Sequence, residues 1–321
     1  MKNIKLLHFI LPILLFSCNN DLETKSPNVI IVITDDQGYG DIGFNGNPHL
    51  ITPNLDKFAG ESIRFNNFNV SPVCAPTRSS LLTGRYSLRT GVTDTYNGGA
   101  IMSSTEITLA EIFNENNYKT GIFGKWHLGD NYPSRPSDQG FKESLIHLSG
   151  GIGQVGDFTN YYKGATSYYD PILWLNNKQK KYNGYCSDIF TDEAIKFIEN
   201  NKDSPFFCYL SFNAPHTPLQ VPEKYYQMYK DIDPTNINGE ILNMSEKNIL
   251  DAKKIYGMVT NIDENFGKLI NKLDELKLKE NTIVIFLTDN GPQQPRYVSN
   301  LRGLKSQVYN GGIKVPFYLN Y

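Results

Sequence analysis

Five consecutive residues, Cys74-Ala75-Pro76-Thr77-Arg78, put a thiol, a rigid ring and a guanidinium where a helix begins. Pro76 suits the first helical position, having no N–H to leave unpaired, and Ser79 to Leu82 continue the helix. A group at Cys74 then faces the positive end of that helix, where free backbone N–H groups bind tetrahedral anions, and Arg78 adds a fixed fork of donors one turn on. The plain alternative is a buried structural cysteine ahead of an ordinary helix. Hard oxygen ligands occur in two separate pairs, Asp35-Asp36 and Asp289-Asn290. Three carboxylates and an amide, with no thiolate or imidazole among them, suit Ca²⁺ or Mg²⁺ rather than zinc. Taken singly, each pair would also serve as a turn or a cap. Lys125 and His127 stand two apart across a strand end, so both can face one pocket, and an imidazole titrates near working pH.

Four apolar runs deliver these residues. Asn28 to Thr34 ends at Asp35-Asp36; Lys119 to Phe123 ends at Lys125-Trp126-His127; Pro205 to Phe212 ends at Asn213-Ala214-Pro215-His216; Thr282 to Thr288 ends at Asp289-Asn290-Gly291. Continuous Val, Ile and Phe suit parallel strands covered on both faces. Helical stretches lie between them at Thr105 to Asn116, Thr191 to Asn200 and Ser245 to about Leu278. In the last of these, apolar residues from Ile249 to Leu273 recur at three and four to make one stripe. The alternation predicts an α/β fold with a doubly wound, mostly parallel sheet flanked by helices. In such sheets ligands bind beyond the carboxyl ends of the strands, so the four strand ends and Cys74 should converge on one pocket. The chain is ordinary globular material of 321 residues, 40% hydrophobic and 20% charged. Its formal net charge of -2 argues against nucleic acid or an anionic membrane as an electrostatic partner.

The Cys74-to-Arg78 run, followed at once by Ser79-Ser80-Leu81-Leu82-Thr83-Gly84-Arg85, resembles the maturation and active-site signature of the formylglycine-dependent sulfatases, which share an alkaline-phosphatase-like fold. Further blocks carry the resemblance: Asp35 to Asp41; Gly124-Lys125-Trp126-His127-Leu128-Gly129; Asn213 to Pro218; Arg302-Gly303-Leu304-Lys305; and Gly311-Gly312-Ile313-Lys314-Val315-Pro316. The resemblance implies that a maturation enzyme oxidises Cys74 to an aldehyde, whose hydrate attacks the sulfur of a sulfate ester on a sulfated carbohydrate or aryl sulfate. It implies a calcium site at Asp35, Asp36, Asp289 and Asn290, completed by the hydrate at Cys74 and a sulfate oxygen. Lys125 then binds hydrate and sulfate, and His127 takes the proton from the second hydroxyl so that sulfate leaves by elimination. His216 and Lys305 match the two cations that hold the sulfate and protonate the leaving alcohol. One position departs from the pattern: Asn310 stands where the family usually has glutamate, so a charged pair with a nearby cation is lost. Two rival readings are a phosphodiesterase or phosphonate monoester hydrolase of the same superfamily, and an inactive truncated paralogue that binds sulfated glycan.

The domain organisation expected is a signal peptide over 1–17, a polar tether over 18–27 and a catalytic domain over 28–321. Lys2 and Lys5 precede an apolar run, Leu6 to Phe16, too short to span a bilayer. Leu15-Phe16-Ser17-Cys18 resembles a bacterial lipobox, which implies a lipid anchor at Cys18 and an exported location, periplasm or cell surface. Cys186 and Cys208 could pair, although Cys208 sits in the strand-like Phe206 to Leu210, where a small buried hydrophobe is the blander role. The Gly-, Tyr- and Asn-rich stretch from Gly150 to Gly184 reads either as a surface insertion or as a wall of aromatic sugar-stacking sites. The chain stops within Val315 to Leu319 and its neighbours, where family members continue into a C-terminal subdomain, so an uncovered strand edge is expected there.

Overall fold

The computed structural model describes residues 25–154 and 167–321. The expected signal segment, Cys18 and most of the tether lie outside the described residues, as do residues 155–166 of the Gly-rich stretch.

The strands are β1 (Asn28–Thr34), β2 (Ile63–Arg64), β3 (Lys119–Lys125), β4 (Glu143–His147), β5 (Ile172–Leu175), β6 (Lys178–Lys181), β7 (Phe206–Ser211), β8 (Asn236–Ile237), β9 (Glu240–Ile241), β10 (Thr282–Thr288) and β11 (Phe317–Asn320). Nine form one sheet in the order β2-β11-β10-β1-β7-β3-β4-β5-β6, and β8-β9 is a separate hairpin. The five central strands, β10 to β4 in that order, are parallel. The edges are antiparallel on both sides, which makes the sheet mixed.

Both faces are covered, as continuous apolar runs require. Ile30 and Val32 of β1 pack on the side of α1 (Pro53–Glu61), α4 (Cys186–Asn200) and α6 (Glu246–Glu275). Val29, Ile31 and Ile33 point the other way, toward α2 (Cys74–Thr83) and α3 (Leu109–Glu115). The α6 stripe Ala252, Ile255, Val259, Ile262, Phe266, Leu269 and Leu273 is buried along its length, and Ser245 caps it by accepting from the Asn248 N–H at 3.2 Å.

Several boundaries differ from the sequence expectation. α2 starts at Cys74 with extended Val73 as its cap, so Pro76 is the third helical residue rather than the first. Its missing N–H still falls among the donors a helix leaves unpaired. α3 starts at Leu109 instead of Thr105, because Thr108 and Glu111 close a capping box. α4 begins five residues earlier than expected. β11 is no open edge: it pairs with β10 on one side and with the two-residue β2 on the other, Tyr318 opposite Arg64 and Leu319 opposite Ile63. Val315 is fully buried and Tyr318 stacks on Phe286 at 6.3 Å.

Candidate active site

β1 and β10 run in register to Thr34 opposite Thr288, so Asp35-Asp36 and Asp289-Asn290 emerge side by side. Asp36 takes a left-handed conformation, φ 60°, unusual for a residue with a side chain. Its N–H donates to Asp289 Oδ1 at 3.2 Å, and its Oδ1 accepts from Asn290 Nδ2 at 2.8 Å and Lys305 Nζ at 2.6 Å. Lys125, at the end of β3, is ion-paired with Asp35, both fully buried. Arg78 reaches across from α2, giving Nε and Nη2 to Asp289 Oδ2 at 3.1 and 2.7 Å and Nη1 to Ser211 Oγ at 2.5 Å. His216 follows β7, with Nε2 3.7 Å from Asp36. Cys74 Sγ lies 3.4 Å from His127 Nδ1. The structure therefore brings together every residue that the sequence singled out for chemistry: Cys74, Arg78, Lys125, His127, His216 and Lys305 with Asp35, Asp36, Asp289 and Asn290.

The tautomers follow from the partners. His127 Nε2 is 2.9 Å from the Thr95 carbonyl, which can only accept, so Nε2 carries the hydrogen and Nδ1 turns a free electron pair toward Cys74. Burial, reinforced by the Lys125 charge, holds His127 well below the ordinary imidazole pKa, so it is a neutral base. His216 Nδ1 likewise donates to the Thr217 carbonyl at 2.7 Å. Burial pushes His216 down to about 3 against the pull of Asp36, so of the two expected cations only Lys305 is charged in the free site. Burial opposes Lys305's charge too, but Asp36 outweighs it and raises the ammonium above its usual value. Burial pushes the Cys74 thiol up, with Lys125 and Lys305 opposing. Asp36 is held well below the usual carboxylate range: burial raises it, and Lys305 and His216 more than cancel that. Asp289 is pushed up to about 6 by burial and by the neighbouring Asp35 charge, despite Arg78.

These residues fit a hard divalent cation. Asp35 Oδ1, Asp36 Oδ2, Gln37 Oε1 and Asn290 Oδ1 are buried oxygens with no hydrogen-bond donor. Ligand atoms of Asp35, Cys74 and Asp289 lie within 4.8 Å of one another, as do those of Asp35, Asp36 and His216. Crowded carboxylates with unfilled lone pairs are unfavourable unless a cation is shared between them.

Other parts of the site were not legible in the sequence. Arg296 is buried, gives Nε to Asp41 Oδ1 and Oδ2 at 2.8 and 2.9 Å, and holds the Asp36 carbonyl oxygen through Nη2 at 2.8 Å. Ser211 accepts from Arg78 and donates to the Lys125 carbonyl at 2.8 Å. Tyr168 donates to the His216 carbonyl at 2.7 Å and accepts from Asn213 Nδ2 at 2.5 Å. Gly150 and Gly151 leave room for the two histidines: a Cβ would come within 2.7 Å of His127 Nε2 at the first and 2.8 Å of His216 Cε1 at the second.

Two expectations are revised. Within the described part of Gly150 to Gly184, Tyr168 is buried and stacked at 5.6 Å on Tyr185, the residue just beyond the stretch, and Trp174 pairs with Ile146 in the outer sheet. They are core and sheet edge, not an open wall of aromatic faces. Asn310 is exposed, and the Lys305 ammonium already has Asp36 as its partner, so position 310 is not where that cation is held.

Residues 27–319 match the sulfatase family. The chain is 31% identical over 334 residues to the ulvan-active sulfatase of Formosa agariphila, covering 96% of this chain and 60% of that protein. It is 30% identical over 315 residues to arylsulfatase J of Mus musculus, covering 92% and 48%. A crystal structure of Ps i-CgsB in complex with k-i-k-neocarrahexaose superposes with a TM-score of 0.77 at 32% identity, covering 92% of this chain and 66% of that one. The chain thus spans about half to two-thirds of the length of these relatives.

Proposed function

This chain belongs to the sulfatase family, and from that premise we propose that it hydrolyses sulfate esters of sulfated carbohydrates, using a formylglycine made from Cys74. The observation that carries the proposal is the placing of Cys74 Sγ 3.4 Å from the unprotonated Nδ1 of a neutral His127. Arg78, Lys125 and Lys305 stand around it as buried or nearly buried cations.

In the oxidised protein the thiol gives way to a geminal diol. One hydroxyl, ionised beside the Lys125 ammonium with its proton lost to water, attacks sulfur through its oxygen, and the bond from sulfur to the alcohol oxygen breaks. Lys305, the charged group of the pair, donates the proton that the alcohol needs. His216 is neutral before the ester arrives, and the anionic ester raises its affinity for a proton. His127 Nδ1 then removes the proton of the second hydroxyl, the C–O bond to sulfate breaks, sulfate leaves, and the aldehyde re-formed at residue 74 takes up water to restore the diol. Because Thr95 holds Nε2–H, the base keeps the tautomer this step needs. Asp35, Asp36, Asp289 and Asn290 would hold a calcium ion, which would supply Lewis acidity toward the ester and the diol. Arg78 and Ser211 hold Asp289 and the end of β3 in place.

A carbohydrate substrate is supported by two relatives, one named for ulvan and one bound to a neocarrahexaose. An exported, lipid-anchored protein remains our proposal for its location; no helix among the described residues is long and apolar enough to cross a membrane.

The test is peptide mass analysis of residue 74 after co-expression with a maturation enzyme, alongside turnover of an aryl sulfate and an aryl phosphodiester. An aldehyde at 74, hydrolysis of the sulfate and abolition of turnover by Cys74→Ala are expected. An active preparation with an intact thiol at 74, or a preference for the phosphodiester, sinks the proposal.

A further inference from the structure

The hydrogen on His127 Nε2 goes to a single carbonyl, and that carbonyl belongs to Thr95, which lies in neither helix nor strand. A backbone oxygen in a loop is a fixed acceptor only where the chain on both sides of it is held.

Both sides are held. Upstream, the Asp94 carboxylate folds back along the chain: its Oδ1 accepts from the Thr95 N–H at 2.7 Å and from the Thr95 hydroxyl at 3.4 Å. The Asp94 N–H donates to the Gly99 carbonyl at 3.1 Å, and the Thr93 N–H donates to the same oxygen at 2.8 Å. Downstream, Tyr96-Asn97-Gly98-Gly99 closes a turn in which the Gly99 N–H donates to the Tyr96 carbonyl at 2.9 Å. Its two central residues are both left-handed, Asn97 at φ 51° and Gly98 at φ 81°, the type I′ pattern that an Asn-Gly pair suits. Thr95 is the residue between these two closures, and its carbonyl faces the imidazole. Asp94 is half-buried, and Asn97 and Gly98 are exposed, so changing them leaves the core untouched.

We propose that Asp94, together with the Asn97-Gly98 turn, is a positioning residue for the reaction: it fixes the Thr95 carbonyl on Nε2 of His127 and so keeps Nδ1 bare toward residue 74. The inference rests on the sulfatase reading above, which makes His127 the base of the elimination, and adds what keeps that base in its working form. Asp94 acts through two successive hydrogen bonds. A loosened Thr95 carbonyl would let the ring hydrogen move to Nδ1, and in that form the imidazole has no electron pair to take the proton of the second hydroxyl.

A neutral imidazole shows its tautomer in the nitrogen NMR shifts of its two ring atoms, so the test is the full chain with isotopically labelled histidine, using His127→Ala to identify the signal. A Cys74→Ala background removes the thiol that also faces Nδ1 and leaves the Thr95 carbonyl as the ring's hydrogen-bond partner among the described residues. In that background the otherwise unsubstituted chain should show one form, with the hydrogen on Nε2. Asp94→Ala and Gly98→Val should each bring in the other tautomer to about 10% or more. Asp94→Asn keeps an acceptor oxygen and should retain the single form. In the matured protein Asp94→Ala should slow the elimination by about 10-fold, part of the roughly 10²–10⁴ that a positioned base contributes. Mass analysis after exposure to an aryl sulfate should then find sulfate retained on residue 74 in a share of the chains, and Asp94→Asn should clear it. The same single tautomer in the parent, Asp94→Ala and Gly98→Val overturns the inference. A mixed tautomer with elimination at the parental rate would keep the clamp and remove His127 as the base, so the two readings fail separately.

Discussion

Replacing Arg296 by methionine separates what this side chain gives the fold from what it gives the metal site. Its guanidinium is fully buried and closes on Asp41 through Nε at 2.8 and 2.9 Å and through Nη2 at 2.5 Å, with Nη2 also on the Asp36 carbonyl oxygen at 2.8 Å. Methionine matches much of the length and leaves Asp41 as an uncompensated buried carboxylate. Breaking one partner of such a pair costs about 3–5 kcal/mol, against a total stability of about 5–15 kcal/mol. At roughly 2 °C per kcal/mol for a long chain, the melting midpoint should fall by about 6–10 °C. Adding Asp41→Asn removes the stranded charge and should return much of that loss. It cannot return the restraint on Asp36, whose backbone, at φ 60°, gives its N–H to Asp289 Oδ1. Calcium affinity, measured by titration calorimetry on both variants, should therefore stay about 10- to 100-fold weaker than in the unsubstituted chain. If either variant binds calcium as the parent does, something other than Arg296 fixes Asp36, and the reasoning fails.

Exhaustive chelation should abolish aryl sulfate turnover and calcium should restore it; stoichiometric zinc in the purified protein, or activity that survives the chelator, contradicts the oxygen-only site. His127→Ala should leave the attack on sulfur intact but slow the elimination, so that mass analysis of the matured variant after exposure to substrate finds sulfate covalently held at residue 74; a clean aldehyde there argues against His127 as the base. Asp263, which accepts from the Leu55 N–H at 2.7 Å and from Asn54, is raised by burial from 3.8 to about 6. The folded chain thus holds that proton more tightly than the unfolded one, so the associated stability is complete below about pH 4 and is lost as pH rises through 6, on the order of 2–3 kcal/mol. Asp263→Asn should flatten denaturant midpoints across that window relative to the parent; parallel pH curves for the two proteins would count against it.

Most of the site was legible because its residues sit at the ends of recognisable strands. Asp35-Asp36 and Asp289-Asn290 each follow a seven-residue strand with five apolar residues in a row, and parallel pairing then leaves little choice about where they meet. What was missed is of other kinds. The hydrogen that sets the tautomer of His127 goes to a backbone carbonyl, which has no residue type to read. Arg296 lies 255 positions from Asp41 with no local pattern to join them. β2 is only two exposed residues long and exists because β11 offers it an edge, so neither period nor composition could announce it. The aromatic residues near Tyr168 misled for the opposite reason: tyrosine suits a sugar platform and a hydrogen-bonded core equally well, and only burial tells the two apart.

Cys74 is 2% exposed, beneath groups drawn from both ends of the chain. If Cys74 is converted as proposed, the enzyme that oxidises it would have to reach the surrounding backbone before this burial is complete. The proposed modification would then have a deadline. The interaction that closes over α2 from the far side is the Arg78 pairing with Asp289, separated by 211 positions. At synthesis rates of about 5–20 residues per second, that stretch takes roughly 10–40 s to emerge. Within that interval the Cys74 segment is still an accessible peptide; once β10 has docked, an unconverted thiol is sealed in. On the proposed conversion, the yield of active protein would be decided by a race between maturation and folding, and anything that hastens the docking of β10 would lower it without touching a residue of the site.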